Sequence, residues 1–242
     1  MLNVIIPMAS KSIFFEDEKY IYPKPLIEIN GKTMIQHVVE NLKTITQDIQ
    51  FIFIVSNSDC SKYHLDSILK LIAGNDCIIL KLDKETKGAA CSVLMAIEYI
   101  NNDEPLVIAN SDQIIAENLN SIISAFQKKN VDAGVVCFET VHPRWSFVRL
   151  NEQNKIMETA EKRPLSKNAI AGFYYFKKGS FFIDAAMNSI EKDANVNGIY
   201  YIAPVLNEMV LKNLNMEIYK IANEKYHTFY SPQKIEEFEK KK

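Results

Sequence analysis

A chain of 242 residues with 48% hydrophobic content is long enough to bury the core of one large α/β domain. A formal net charge of −2 and a pI near 6.1 offer no basic footprint for a nucleic acid, and no apolar run reaches the length of a membrane span. Four cysteines lie far apart without C-x-x-C spacing, so they read as buried, reduced thiols of a cytoplasmic protein and not as a zinc site.

In chain order, the N-terminal "MLNVIIPMAS" lacks a basic n-region and reads as a strand over residues 3–7, not as a signal peptide. A loop without glycine follows, up to Pro23-Lys24-Pro25. Met34, Ile35, Val38, Val39 and Leu42 fall at helical spacing and predict a helix over 33–44. Strands are predicted over 50–55, 76–82 and 105–109, and helices over 61–73, 88–100 and 119–128. Continuous apolar strands alternating with amphipathic helices predict a parallel sheet covered on both faces, doubly wound by right-handed crossovers. The second half is richer in strands, at 133–140, 146–152, 155–161 and 169–179, with "NEQNK" as a hairpin turn. Helices over 181–192 and 202–211, a strand over 216–221 and a helix over 232–240 complete the chain. The terminal "EEFEKKK" reads as a frayed helix end. The expected fold is α/β, a doubly wound, mostly parallel Rossmann-like sheet with a mixed antiparallel extension, in one domain over 1–242.

Ligands of such sheets sit beyond the carboxyl ends of the strands. Three places qualify: the loop with Met8, Ala9, Ser10 and Lys11; Gly88 and Ala89, where a helix opens and backbone N–H groups can face a base or a phosphate; and "NSDQ", where Ser111 and Asp112 follow a buried strand. Asp112 suits a metal ion, although an aspartate after a strand is often a plain helix N-cap or turn former. Lys24 lies between two prolines that hold it in an extended, rigid segment, either at a ligand or merely solvated. Glu161 and Lys162 set an acceptor beside a cation, fit for a hydroxyl-rich phosphorylated ligand or for a surface ion pair. Gly172 inside a strand permits close approach of a ligand or of another backbone, and residues 173–176 read as core aromatics.

The ordered set "IIPMA…YPKPLIEINGKTMIQHVVENL", "KGAACSVLMAIEYI", "LVIANSDQ", "METAEKRP", "AGFYYF" and "SPQKIEEF" resembles the sugar-phosphate nucleotidyltransferases over nearly the whole chain. The resemblance implies a glycosyltransferase-A-like fold, with residues 1–130 as the nucleotide-binding half and 131–242 as the sugar- or acceptor-binding half. It implies that an NTP and a sugar 1-phosphate, or a related phosphorylated small molecule, react with Mg²⁺ to release pyrophosphate and yield a precursor for surface polysaccharide. Residue by residue, it implies a triphosphate cradle at Met8, Ala9, Ser10 and Lys11, with Lys24 on the reacting phosphate and Gly88, Ala89 and Ser111 at the nucleotide. Asp112 would hold Mg²⁺. Glu161 would bind sugar hydroxyls, Lys162 the sugar phosphate, and Gly172 would leave room for the ring.

The departures are specific. The family pattern G-x-G-[ST]-R corresponds here to Ser10-Lys11-Ser12-Ile13-Phe14, so serines replace both glycines and Phe14 stands at the arginine. Lys11 is the expected substitute cation. The late run from His227 to Pro232 carries no second metal-binding carboxylate, and Ser146 replaces a frequent sugar-site glycine. Two other functions stay open: a glycosyltransferase-A-fold transferase using a nucleotide-sugar, and a non-catalytic nucleotide-sugar-binding regulatory homologue. The sequence leaves assembly into a homo-oligomer open.

Overall fold

The computed structural model describes residues 1–10, 14–15 and 20–240. Lys11, the expected substitute cation, lies outside the described residues. Among those described, β1 (Leu2–Pro7), a short hairpin of β2 (Glu28–Ile29) and β3 (Lys32–Thr33), α1 (Met34–Leu42) and β4 (Ile49–Ser56) begin the fold. Then come α2 (Asn57–Tyr63), α3 (Leu65–Ala73), β5 (Ile78–Leu82), α4 (Ala89–Leu94), α5 (Ile97–Ile100), β6 (Leu106–Ala109), β7 (Gln113–Ile115) and α6 (Leu119–Lys128). The second half holds β8 (Ala133–Glu139), β9 (Ser146–Leu150), β10 (Ile156–Glu161), β11 (Asn168–Phe176), α7 (Gly179–Glu191), α8 (Ile202–Leu211), β12 (Met216–Lys220), β13 (Tyr226–Thr228) and α9 (Pro232–Glu239).

Strands β6, β1, β4 and β5 lie side by side and parallel. Leu2, Val4, Ile6, Phe51, Phe53 and Val55 face one layer of helices, where Val38 and Leu42 of α1, Leu69 of α3 and Ile122 and Phe126 of α6 meet them. Ile5, Ile52 and Ile54 face the other, against Val93 of α4, Phe182 of α7 and Leu206 of α8. Burial on both faces explains why these strands read as unbroken apolar runs.

The antiparallel extension joins at β11. Its C-terminal half pairs with β6 (Phe173 opposite Ala109), while Ala169, nearer its start, pairs with Phe147 of the β9–β10 ribbon. The register of β11 against β8 shifts between Ile170 and Tyr174. Gly172 lies in that irregularity with φ +59°, a left-handed conformation that glycine adopts without steric cost. The sheet therefore forks at Gly172, and the candidate site lies in the fork.

Several local expectations are corrected. The helix expected over 61–73 is two helices, broken at His64, whose φ is 55°. The one expected over 88–100 is α4 and α5, separated by a turn at Met95 and Ala96. Apolar spacing continues across both breaks, so periodicity does not reveal them. Lys24 is not in an extended segment: residues Lys24–Leu26 form a 3₁₀ turn, in which the Leu26 N–H donates to the Pro23 carbonyl at 2.8 Å. Pro25 fits there because the start of such a turn has no use for its missing N–H.

Candidate active site

The Pro23–Pro25 turn points Lys24 at the carboxyl end of β6. Its Nζ lies 2.5 Å from Oδ2 of Asp112, with side chains only 22% and 18% exposed. Asp112 sits in the turn between β6 and β7, and its carbonyl accepts the Phe229 N–H at 2.8 Å. It is not a helix cap, since Asn118 fills that place for α6. Among the described residues no three His, Cys, Asp or Glu side chains gather into a metal cluster. A lone carboxylate still fits Mg²⁺, which commonly takes one or two protein carboxylates and fills its octahedron with substrate phosphates and waters.

Across the fork, β9 begins at Ser146 and β10 ends at Glu161, paired directly opposite. The Ser146 hydroxyl donates to the Glu161 carboxylate. Burial pushes the Glu161 carboxyl above its usual value, against the opposing pull of Ser146 and Lys162. Lys162 follows with φ +54°, whereas most other described non-glycine residues with positive φ are asparagine. Its N–H is fixed on the Trp145 carbonyl at 3.0 Å and its Nζ donates to the Tyr201 hydroxyl at 3.0 Å. That bond raises Lys162 further above its usual range, so it stays a cation. No Glu161–Lys162 ion pair forms; the strained backbone turns the two side chains to separate partners.

The left-handed backbone of Lys162 costs about 1–2 kcal/mol in an L-residue, a strain typical of functional positions. Lys162→Gly should therefore keep or raise thermal stability while weakening binding of a phosphorylated acceptor. A melt and an acceptor titration check both halves. A second expected outcome concerns pH. The folded protein holds the Glu161 proton more tightly than the unfolded chain, so its contribution to stability is full below the unfolded-state pKa. It is lost as pH rises from about 4.5 through the raised folded value. Glu161→Gln should accordingly gain stability relative to the parent as pH rises through that window, while losing acceptor binding. Denaturant melts at several pH values check the sign.

A cleft of about 530 Å³ lies beyond β1, β4 and β5, lined by Met8, Ala9, Ser10, Lys24, Ser58 and Lys84 among others. The Met8 N–H is already spent on the Ile54 carbonyl at 2.8 Å, which leaves Ala9 and Ser10 as the described backbone donors of the expected cradle. Gly88 packs against backbone: a Cβ there would stand 2.4 Å from the Tyr200 carbonyl oxygen. The same carbonyl accepts the Ala90 N–H at 3.0 Å, using one of the free donors at the start of α4. At Gly172 the space of a Cβ is held by the Asn110 side chain, 2.2 Å away, and not left open. Ser111 lies partly buried between Asn110 and Asp112.

Sequence reasoning missed the hydroxyls that line the fork. Burial, and the charge of Glu161, raise Tyr174, so its hydroxyl stays neutral. Burial and Asp112 do the same at Tyr226, which donates to Gln113 at 3.1 Å. Tyr174 alternates with core residues on a buried strand, and nothing in its spacing distinguishes it.

The fold is an α/β sheet with Asp112 and its partner Lys24 at the carboxyl end of β6, and Glu161 and Lys162 at the end of the β9–β10 ribbon. Residues 20–218 match the family described as nucleotidyl transferase, and the chain belongs to that family. It is similar to the bifunctional protein GlmU of Thermodesulfovibrio yellowstonii, with 26% identity over 231 residues, 92% of this chain and 48% of the relative. With GlmU of Methanocaldococcus jannaschii it shares 28% over 162 residues, 66% of this chain and 36% of the relative. The chain thus spans about half, or less, of the length of these relatives. The nucleoside-diphosphate-sugar pyrophosphorylase of Vibrio cholerae RC9 superposes with a TM-score of 0.85 at 25% identity, covering 98% of this chain and 99% of that one. A UDP-glucose pyrophosphorylase solved with UDP-glucose shares the fold, with a TM-score of 0.77 at 19% identity over 99% of each chain.

Proposed function

We propose that this chain catalyses nucleotidyl transfer from an NTP to a sugar 1-phosphate or a related phosphorylated small molecule. An acceptor phosphate oxygen forms a bond to the α-phosphorus; the bond from that phosphorus to the α,β-bridging oxygen breaks, and pyrophosphate leaves with the electron pair. The observation that carries this reading is the pairing of Lys24 with Asp112 at 2.5 Å, across the fork from Glu161 and Lys162. Such a transfer needs charge neutralisation and in-line positioning more than covalent help from the protein.

In this scheme Lys24 leaves Asp112 when substrate enters and donates to the oxygens of the α-phosphate. Asp112 would hold Mg²⁺, which when bound neutralises phosphate charge and polarises the α-phosphoryl group. Lys162, held protonated by Tyr201, receives the acceptor phosphate. Glu161, oriented by Ser146, accepts hydrogen bonds from sugar hydroxyls. Tyr174 and Tyr226 stay neutral and close the fork with hydroxyls instead of charges. The product would be an activated nucleotide-sugar, suited to the assembly of a surface polysaccharide.

The test is pyrophosphate release over a matrix of the common NTPs and sugar 1-phosphates with Mg²⁺. Release that requires both substrates is expected. Binding of a nucleotide-sugar with no release from any pair would favour a glycosyltransferase-like or regulatory role instead.

A further inference from the structure

Two adjacent phenylalanines of the first loop turn to opposite sides. Phe15 is buried with Ile27, Ile29, Met34, Phe229 and Ile235. Phe14 is 45% exposed and meets Tyr230, with ring centroids 5.7 Å apart. Between these rings lies Arg144, from the segment joining β8 to β9. Its guanidinium carbon is 3.2 Å from the Tyr230 centroid, 5.4 Å from Phe14 and 5.6 Å from Trp145. Three rings thus box one partly buried guanidinium.

The other arginines, Arg149 and Arg163, both ion-pair with Glu158 at 2.8 Å. Arg144 has no carboxylate partner among the described residues. Its box borders a cavity of about 410 Å³, and the two carboxylates lining that cavity are taken: Glu139 by Lys167 at 3.3 Å and Glu237 by Lys234 at 2.5 Å. Ring faces attract a guanidinium without neutralising it, and a cation with no carboxylate partner among the described residues still favours an anion. Its planar fork matches phosphate oxygens two at a time.

The box is tied through its neighbours to the turn that carries Asp112. Tyr230 follows Phe229, whose N–H is fixed on the Asp112 carbonyl, and Tyr226 of the same cavity reaches Gln113. Residues 8–10 and 14–15 of the first loop bring no cation of their own, and the charge of Lys24 is offset by Asp112.

We propose that Arg144 is a phosphate-binding residue of this site, boxed by Phe14, Trp145 and Tyr230 so that its guanidinium contacts the phosphates of the NTP and the pyrophosphate formed from it. The identity of the ligand rests on the nucleotidyl-transfer reading; the demand for a phosphate-like anion at Arg144 does not.

Trp145 is the only tryptophan in the chain and touches Arg144, so its fluorescence reports directly on ligands there. The full chain is titrated with inorganic pyrophosphate and with each NTP in Mg²⁺, by fluorescence and by calorimetry. The parent is compared with Arg144→Lys and Arg144→Ala, each checked for an unchanged far-UV spectrum and melt. The parent should bind pyrophosphate and at least one NTP. Arg144→Ala should weaken both by about tenfold or more, with Arg144→Lys, a charge without the fork, in between. The dependence of pyrophosphate affinity on salt should flatten in Arg144→Ala. Arg144-dependent pyrophosphate binding without nucleotide-sugar formation from any substrate pair would leave this assignment standing and sink the transfer reading. Affinities within twofold across parent and variants would overturn the assignment, as would a parent that binds neither pyrophosphate nor any NTP. If Arg144→Ala does not fold, Arg144→Lys alone decides, since an unchanged affinity there removes any role for the fork.

Discussion

Asp112→Asn should lower nucleotidyl transfer by about 10²–10³-fold, equivalent to roughly 3–4 kcal/mol of transition-state stabilisation. Asparagine keeps the shape of the β6–β7 turn, and the Phe229 bond uses the Asp112 carbonyl, not its side chain. What is lost is the carboxylate that pairs with Lys24 and would anchor the metal. The same change should cost about 1–2 kcal/mol of stability, between the values for an exposed and a buried ion pair, because Lys24 stays four-fifths covered with no counter-charge. Adding Lys24→Met should recover much of that stability and none of the activity. Steady-state rates and denaturant melts of the single and double variants separate the two effects. A double variant that regains activity would mean the pair serves folding alone.

Gly172→Ala should be strongly destabilising. At φ +59° an L-residue costs about 1–2 kcal/mol. A Cβ would also stand 2.2 Å from Nδ2 of Asn110 and 2.5 Å from Oε1 of Gln113, so the side chains that flank Asp112 must move. Overpacking of that kind adds about 1–3 kcal/mol. The sum, roughly 2–5 kcal/mol, amounts to a drop in Tm of about 4–20 °C for a domain of this size. The comparison is Gly198→Ala. Gly198 also has positive φ, +77°, but nothing stands within 4 Å of a Cβ there, so only the backbone cost applies. Equal losses at the two positions would show that the fork has slack and that Gly172 is needed only for its dihedral angle.

The parallel half was legible because burial on both faces leaves a plain mark: Val4–Ile6, Phe51–Val55 and Leu106–Ala109 are continuous apolar runs, and all belong to the central sheet. Asp112 and Lys24 were legible by position, one after a buried strand and one between prolines, though not as a pair 88 residues apart. The fork was not legible. It depends on the left-handed turn at Gly172 and on β7 and β13, three residues each, too short to carry a period. The Asn30-Gly31 turn of the β2–β3 hairpin, with φ 49° and 79°, carries the plain Asn-Gly signal of a tight hairpin. Gly88 and Gly172 show how one residue type answers to two causes: the sequence marks that room is needed, and only the structure says that Tyr200 and Asn110 take it.

Transfer at the α-phosphorus is tested most directly by one measurement. The protein is incubated with Mg²⁺, a sugar 1-phosphate and the NTP that supports turnover, labelled at the α-phosphate in one reaction and at the γ-phosphate in another. The α-label should appear in a nucleoside diphosphate sugar and the γ-label in pyrophosphate, in equal amounts, with both lost in Asp112→Asn. An α-label that stays in NTP, or products that form equally well in that variant, would contradict it.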